Sequence, residues 1–328
     1  MSLVPSVSRL TGKTAGAIVR LSAAARALPA WASLALLLVW AGIAIPSFLL
    51  PERLLVLGEQ MAPLLLVAIG QTIVLLVGGL DLSVGQVVTL SVVLGAGLSN
   101  GSEGLLPMAV IVCLAAGAAV GTLNGLLVVR LRIPPLITTI ATATIVEGIA
   151  YIYTNGAPNG QTPLLLQFAA DGRWGPVPVA DVIMAVVLVA TFVLLTRSVF
   201  GRHVYAIGAN RRTAELAGVR VGLVTIVAYA ICGLLAAAAG LLLAGYIAVG
   251  SLSAGNPYVL NSLAVVLIGG TSFSGGEGGV IGTFAGAAVL VVLTALLLQL
   301  SVAIALQSVL LAVIVVVAAL LQGRQSRS

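Results

Sequence analysis

Stretches of about twenty apolar residues recur along this chain, and a helix needs about that many to cross the hydrocarbon core of a bilayer. Ten are legible, at 31–50, 61–79, 84–99, 105–129, 136–154, 179–196, 223–249, 258–270, 280–298 and 302–321. Charge agrees with them. Only 7% of the 328 residues are Asp, Glu, Lys or Arg, whereas a soluble domain carries about 25%. So few charges could not cover a surface that faces water, and the mean hydropathy of +1.22 says the same. The fold class that follows is all-α: a polytopic membrane bundle of about ten transmembrane helices, some of them short or broken.

The basic residues sit between the spans, so the net charge of +6 implies loop charges that orient the chain and no nucleic-acid surface. With the N-terminus in the cytoplasm, thirteen Lys and Arg fall on inside segments, and only Arg53 and Arg173 fall outside. That bias predicts both termini in the cytoplasm: a tail over 1–30, one transmembrane unit over 31–321, and a second tail over 322–328. Residues 1–29 are polar and basic, and the run at 31–50 is longer than a signal-peptide core, so it reads as a retained first helix. Cys113 and Cys232 both lie inside apolar runs and read as small buried hydrophobes, with no disulfide or metal implied.

Segments 84–99 and 258–270 are short for a span, and each adjoins a Gly-rich break, GGLDLSVG at 78–85 and GGTSFSGG at 269–276. Backbone freed at such breaks cannot face lipid and must be packed in protein or line a wet cavity. The breaks also echo each other. VLLVGGLDLSVG from Val74 aligns without gaps to VVLIGGTSFSGG from Val265, so Gly78, Gly79, Ser83 and Gly85 meet Gly269, Gly270, Ser274 and Gly276. Paired broken segments mark substrate sites in transporters built from repeats. A ten-span topology makes these two copies parallel, which a five-plus-five inverted repeat would not. The last long inside segment, 197–222, is basic and rich in small residues, as a docking loop would be. The longest outside segment, 155–178, reads as turn-rich.

No catalytic constellation emerges. His203 is the only histidine and has no ligand cluster near it. TGKT at 11–14 resembles the end of a nucleotide-binding loop but lacks its first glycine, so ATP, if used, is bound by another chain. Carboxylates at membrane depth face cavities or partners. Asp81 is either a gate or a helix cap, Glu147 either lines a pore or bonds a neighbouring helix, and Glu277 fits a loop near the headgroups. Uncharged polar residues are plentiful, among them Gln71, Thr72, Thr89, Asn124, Thr138, Thr139, Thr142, Thr144, Asn261, Thr271 and Ser272. They suit a neutral polyol, and they also suit helix-to-helix bonding.

GLDLSVG at 79–85, NGLLVVRLRIPPLITTIAT at 124–142, YTNGAP at 153–158, AIGANRRTAELAGV at 206–219 and VVLIGGTSFSGGEGGVIGT at 265–283 occur in that order. Together they resemble the ribose-type permeases of ABC sugar importers, over residues 60–321. The resemblance implies a transport subunit that is no enzyme and holds no cofactor: ATP and Mg are bound by a partner. It implies a second permease chain, identical or similar, a cytoplasmic ATPase of two fused halves, and a periplasmic sugar-binding protein, all at a bacterial inner membrane. It implies a pathway for a small neutral sugar, a pentose or similar monosaccharide, through Gly79, Asp81, Ser83, Asn124, Thr138, Glu147, Asn261, Gly270, Thr271 and Ser272. Gly208, Asn210, Ala214, Glu215 and Gly218 fall where the family's loop presses on the ATPase. In that family the position of Glu147 is commonly basic, so the acid here leaves the sugar open. A permease for branched-chain amino acids or nucleosides, or a secondary transporter, are the alternatives.

Overall fold

In the computed structural model, residues 12–303 are described, together with Leu306, Val309 and Val313. The span expected at 302–321 lies almost wholly outside the described residues, and so does the tail at 322–328. Within them the protein is a bundle of α-helices, and its strands form a single two-residue hairpin, Arg173–Trp174 against Val177–Pro178. Among the described residues, seven helices are long and apolar enough to cross a membrane. They are α1 (Gly12–Ala44), α2 (Pro51–Leu76), α4 (Leu106–Arg130), α5 (Pro135–Thr154), α7 (Val179–Arg197), α10 (Val221–Ile247) and α12 (Val280–Gln299). Two apolar helices are shorter, α3 (Val84–Ser99) and α11 (Asn256–Ile268). The chain is therefore a multi-pass membrane protein.

Each of the first nine expected spans has its helix, with shifted bounds. α1 begins at Gly12 instead of 31, and α2 begins at Pro51 instead of 61. Proline at the first helical position and Glu52 in the first turn suit a helix start, and a polar stretch such as Glu59–Gln60 does not end a helix. The segment 155–178, expected to lie outside as turns, carries α6 (Leu164–Asp171), and 197–222 carries α8 (Val199–Ala209) and α9 (Arg211–Leu216). Asn100 and Asn155 end α3 and α5 in the left-handed conformation, which asparagine tolerates.

α2 and α10 form the core and run antiparallel. Leu76, at the end of α2, meets α8, while Gly245, near the end of α10, packs on Leu166 of α6. The α8 end of the bundle thus holds the 197–222 segment and the opposite end holds 155–178. α10 packs closely on α4, where Gly117, Gly121 and Gly125 lie at four-residue spacing against the backbone of Gly233, Tyr229 and Ile226.

α2, α3 and α4 correspond to α10, α11 and α12 by inversion. α2 packs on α12 as α10 packs on α4, and α3 lies against α10 as α11 lies against α2. The sense is inverted: α3 runs from the bundle's interior to the 155–178 end, where Ala96 meets Gly160, whereas α11 runs to the α8 end. The structural partner of Leu82-Ser83-Val84-Gly85 is therefore Leu252-Ser253-Ala254-Gly255 and not 273–276. The echo between 78–85 and 269–276 has a different origin. Both α2 and α11 end on a left-handed glycine that closes the same pair of bonds. At α2, Gly78 N bonds Leu75 O and Gly79 N bonds Val74 O; at α11, Gly270 N bonds Leu267 O and Thr271 N bonds Val266 O. Gly78 thus matches Gly270, one residue away from the ungapped alignment.

Candidate functional site

The two short helices start beside each other. Gly85 and Gly255 are in mutual contact, and a Cβ on either would strike the other's carbonyl oxygen. Gly255 N donates to Thr89 Oγ1 at 3.0 Å, and Gln86 Nε2 donates to Asn256 Oδ1 at 3.2 Å. Only residues without a side chain allow two backbones this close.

Below that contact, Asp81 is buried in the lead-in to α3. Its Oδ1 accepts from Ser83 N at 2.9 Å and from Ser83 Oγ at 2.6 Å. Asn124 Nδ2, from α4, donates to Ser83 Oγ at 2.9 Å and lies 3.4 Å from Asp81 Oδ1. Asp81 Oδ2 and Asn124 Oδ1 have no partner among the described residues. The carboxylate thus ties up the turn that starts α3, at the end of the helix where negative charge is favoured. Sequence reasoning brought Asp81, Ser83 and Asn124 forward singly, and the fold puts them together. It missed Tyr229 of α10, whose hydroxyl donates to Leu80 O and accepts from Leu80 N, both at 3.2 Å. Gly79 exists to make room for it: a Cβ there would lie 2.6 Å from the Tyr229 hydroxyl. A tyrosine in the middle of an apolar span was the available signal.

The second break, 269–279, is built from backbone. Gly270, Gly275, Gly276, Gly278 and Gly279 all have positive φ. Ser272 N bonds Glu277 O, Ser272 Oγ accepts from Ser274 N, and Gly278 lies against the buried Thr271. The two breaks touch: Gly276 N donates to Leu76 O at 2.9 Å, and a Cβ on Gly275 would lie 3.0 Å from Gly78 N.

α8 closes this junction from the outside. Gly208 faces inward, and a Cβ on it would strike both Leu76 O and Gly276 N. Tyr205 donates from its hydroxyl to Gly278 O at 3.0 Å, and burial pushes its phenol up to about 12, so the donor stays protonated. The other residues of the expected coupling loop sit on or beside α9. Asn210 caps it by accepting from Thr213 N at 2.9 Å, and Glu215 lies 3.5 Å from Arg211. Ala214 is buried beneath, Gly218 is left-handed with open space around it, and Leu216 is 83% exposed.

Elsewhere, Thr138 of α5 is buried and donates to its own helix at Pro134 O. Glu147 of α5 and Asn261 of α11 are half-buried, and Gly270 and Ser272 stand at the second break. None of these joins the Asp81 cluster. A separate cavity of about 330 Å³ lies at the 155–178 end, lined by Glu59, Gln60, Tyr246, Tyr258 and apolar neighbours. Arg173 pairs with Glu59 there at 3.3 Å.

The profile of a family described as branched-chain amino acid transport system, permease component, matches residues 54–319. Curated relatives agree over most of the chain. The ribose import permease protein RbsC of Bacillus subtilis (strain 168) is 36% identical over 89% of this chain and 91% of its own length. The autoinducer 2 import system permease protein LsrC of Enterobacter sp. (strain 638) is 34% identical over 74% and 70%. The galactose/methyl galactoside import permease protein MglC of Escherichia coli (strain K12) is 32% identical over 76% and 79%. No solved structure matches this chain.

Proposed function

The chain belongs to the family of branched-chain amino acid transport system permease components, and on that footing we propose that it is the membrane-spanning subunit of an ATP-driven sugar importer. Its substrate is a small neutral sugar, a pentose or similar monosaccharide. Relatives named for the import of ribose and of galactose, at 36% and 32% identity, favour sugar over the amino acids in the family's description. The permease does no chemistry and holds no cofactor. A fused ATPase subunit in the cytoplasm binds ATP and Mg, a periplasmic binding protein delivers the sugar, and a second permease chain completes the pathway. Both tails, 1–30 and 322–328, are cytoplasmic and flank one transmembrane unit.

The observation that carries this reading is the seat of α8 on both breaks. The 197–222 segment is basic and exposes Leu216 and Arg212 to a partner. Its inner face meets Leu76 and Gly276 without an intervening side chain. ATP-driven closure of the ATPase displaces α8, and the contact hands that displacement to the ends of α2 and α11. Helix packing of this kind switches between discrete arrangements and deforms little in between. The two arrangements open the cavity between permease chains outward, then inward. Asp81, Ser83 and Asn124 are buried within this chain, so in this reading they act by fixing the start of α3, and the half-buried Glu147 and Asn261 are left to line the pathway.

The test is reconstitution. The chain, purified with its ATPase and supplied with its binding protein, should import labelled ribose or galactose only when ATP is present on the ATPase side. Import without an ATPase, or import of leucine in place of either sugar, would overturn the reading.

A further inference from the structure

Of residues 83–93, Gln86 alone is not buried, and Asn256, with which it shares a hydrogen bond, is exposed. Gln86 Oε1 is itself buried and has no partner among the described residues. The depth of this pair follows from the helices that carry it. From Gln86 to the end of α3 at Ser99 is about 20 Å, and from Asn256 to the end of α11 at Ile268 is about 18 Å, at 1.5 Å per residue. Those two helix ends lie at opposite ends of the bundle, and the hydrocarbon core is about 30 Å thick. The carboxamide of Asn256 therefore stands open on the flank of the chain near mid-membrane, with the half-buried Gln86 behind it. Facing lipid, the remaining donors and acceptor of Asn256 would be left without partners, which the hydrocarbon core does not tolerate.

We infer that Gln86 and Asn256 face a wet pathway and are the point at which a neutral polyol of monosaccharide size is hydrogen-bonded in passage. A carboxamide offers a donor and an acceptor side by side and no charge, which matches hydroxyls that both donate and accept. The pair lies where the two inverted halves meet, at Gly85 and Gly255, and such a boundary is where discontinuous helices expose a substrate site. Ser253, also exposed, adds a hydroxyl three residues from Asn256. This site rests on the importer reading and adds to it the residues that contact the sugar.

Thiol labelling in proteoliposomes, on the chain with its ATPase, tests it. Gln86→Cys and Asn256→Cys are compared with Val186→Cys, an exposed position on the apolar face of α7; the native thiols Cys113 and Cys232 are buried. With a charged methanethiosulfonate, both test positions should react at least tenfold faster than Val186→Cys. Ribose or galactose should slow their reaction at least threefold. In uptake, Asn256→Leu should raise KM at least fivefold, and Asn256→Gln should restore it. Reaction as slow as at Val186→Cys overturns the wet site. Fast reaction that neither sugar slows overturns the contact with substrate. If the unaltered chain imports neither sugar, the importer reading fails for them, and the labelling ratio still decides whether the pair faces water.

Discussion

The breaks at 77–83 and 269–279 use similar words and are held by opposite means. Side chains fix the first. Asp81 gathers the Ser83 amide and hydroxyl, Asn124 reaches in from α4, and Tyr229 clasps the Leu80 peptide from α10. Backbone fixes the second, with five glycines at positive φ and contacts to α8 through carbonyls and amides. Each solution limits motion differently. A network of buried side chains sets one geometry because its unmet groups are costly, whereas a run of glycines has several backbone conformations of similar energy. On the importer reading proposed above, the first break is therefore an anchor, and the second is the part that gives when α8 moves.

The largest expected effect is at the second break. Gly276→Ala puts a Cβ 2.6 Å from Ala209 N at a φ of +72°. Left-handed backbone costs a residue other than glycine about 1–2 kcal/mol, and forced overpacking about 1–3 kcal/mol more. A drop of about 3 kcal/mol in stability should appear as a large fall in the thermal midpoint of the detergent-purified protein. A midpoint unchanged by Gly276→Ala would break the comparison, since the second break would then tolerate side chains as the first does.

Asp81 gives the next largest effect. Asp81→Ala removes the acceptor of three buried donor contacts, which should cost about 1–3 kcal/mol. Asp81→Asn keeps one carbonyl oxygen for Ser83 and should retain most of the stability, since Asn holds such turns about as well as Asp. Equal loss in both variants would mean that charge and not hydrogen bonding holds this break. Retained ATP-driven uptake in Asp81→Asn favours the anchor, and loss of uptake in a stable complex favours a gate that needs the charge.

How much of this was legible in the sequence depends on the range of the forces involved. Spans were readable because burial in lipid acts on every residue of a helix, so nine helices match expected segments despite shifts such as the early start of α2 at Pro51. Asp81, Ser83 and Asn124 stood out as polar residues in apolar surroundings, but their convergence depends on α4 packing beside α3. The repeat was misassigned for a related reason. The bonds that end a helix on glycine are local and recur wherever a helix stops, so 78–85 resembled 269–276. The true partner of 82–85 is 252–255, where the shared requirement is a bare backbone at one crossing, and only Leu, Ser and Gly carry it. Gln86 and Asn256 gave no signal, because an amide facing water and one facing another helix look alike in sequence. Gly208 was noticed for the wrong side: the loop it belongs to is exposed, but the glycine itself faces the breaks.

The smallest effect belongs to the bond that links α8 to the second break. Tyr205→Phe removes one hydroxyl from a half-buried site and leaves the ring, so its cost is that of a single hydrogen bond, about 1 kcal/mol. Gly278 O would then lack its side-chain donor, while the glycine contacts of Gly208 persist. Titration offers an independent check. Burial raises the folded phenol to about 12, against about 10 in an unfolded chain, so folding favours the protonated hydroxyl. The contribution of Tyr205 is fully present below pH 10 and is lost as pH rises from about 10 through about 12. The difference in thermal midpoint between the unaltered chain and Tyr205→Phe should therefore stay constant from pH 6 to pH 9. A difference that varied across that range would place the donor elsewhere. If the second break is the yielding element, Tyr205→Phe should also lower the sugar moved per ATP hydrolysed without reducing the amount of ATPase that co-purifies. An unchanged ratio would show that the glycine contacts alone carry the motion, and would narrow the comparison to Gly208, Gly276 and Leu76.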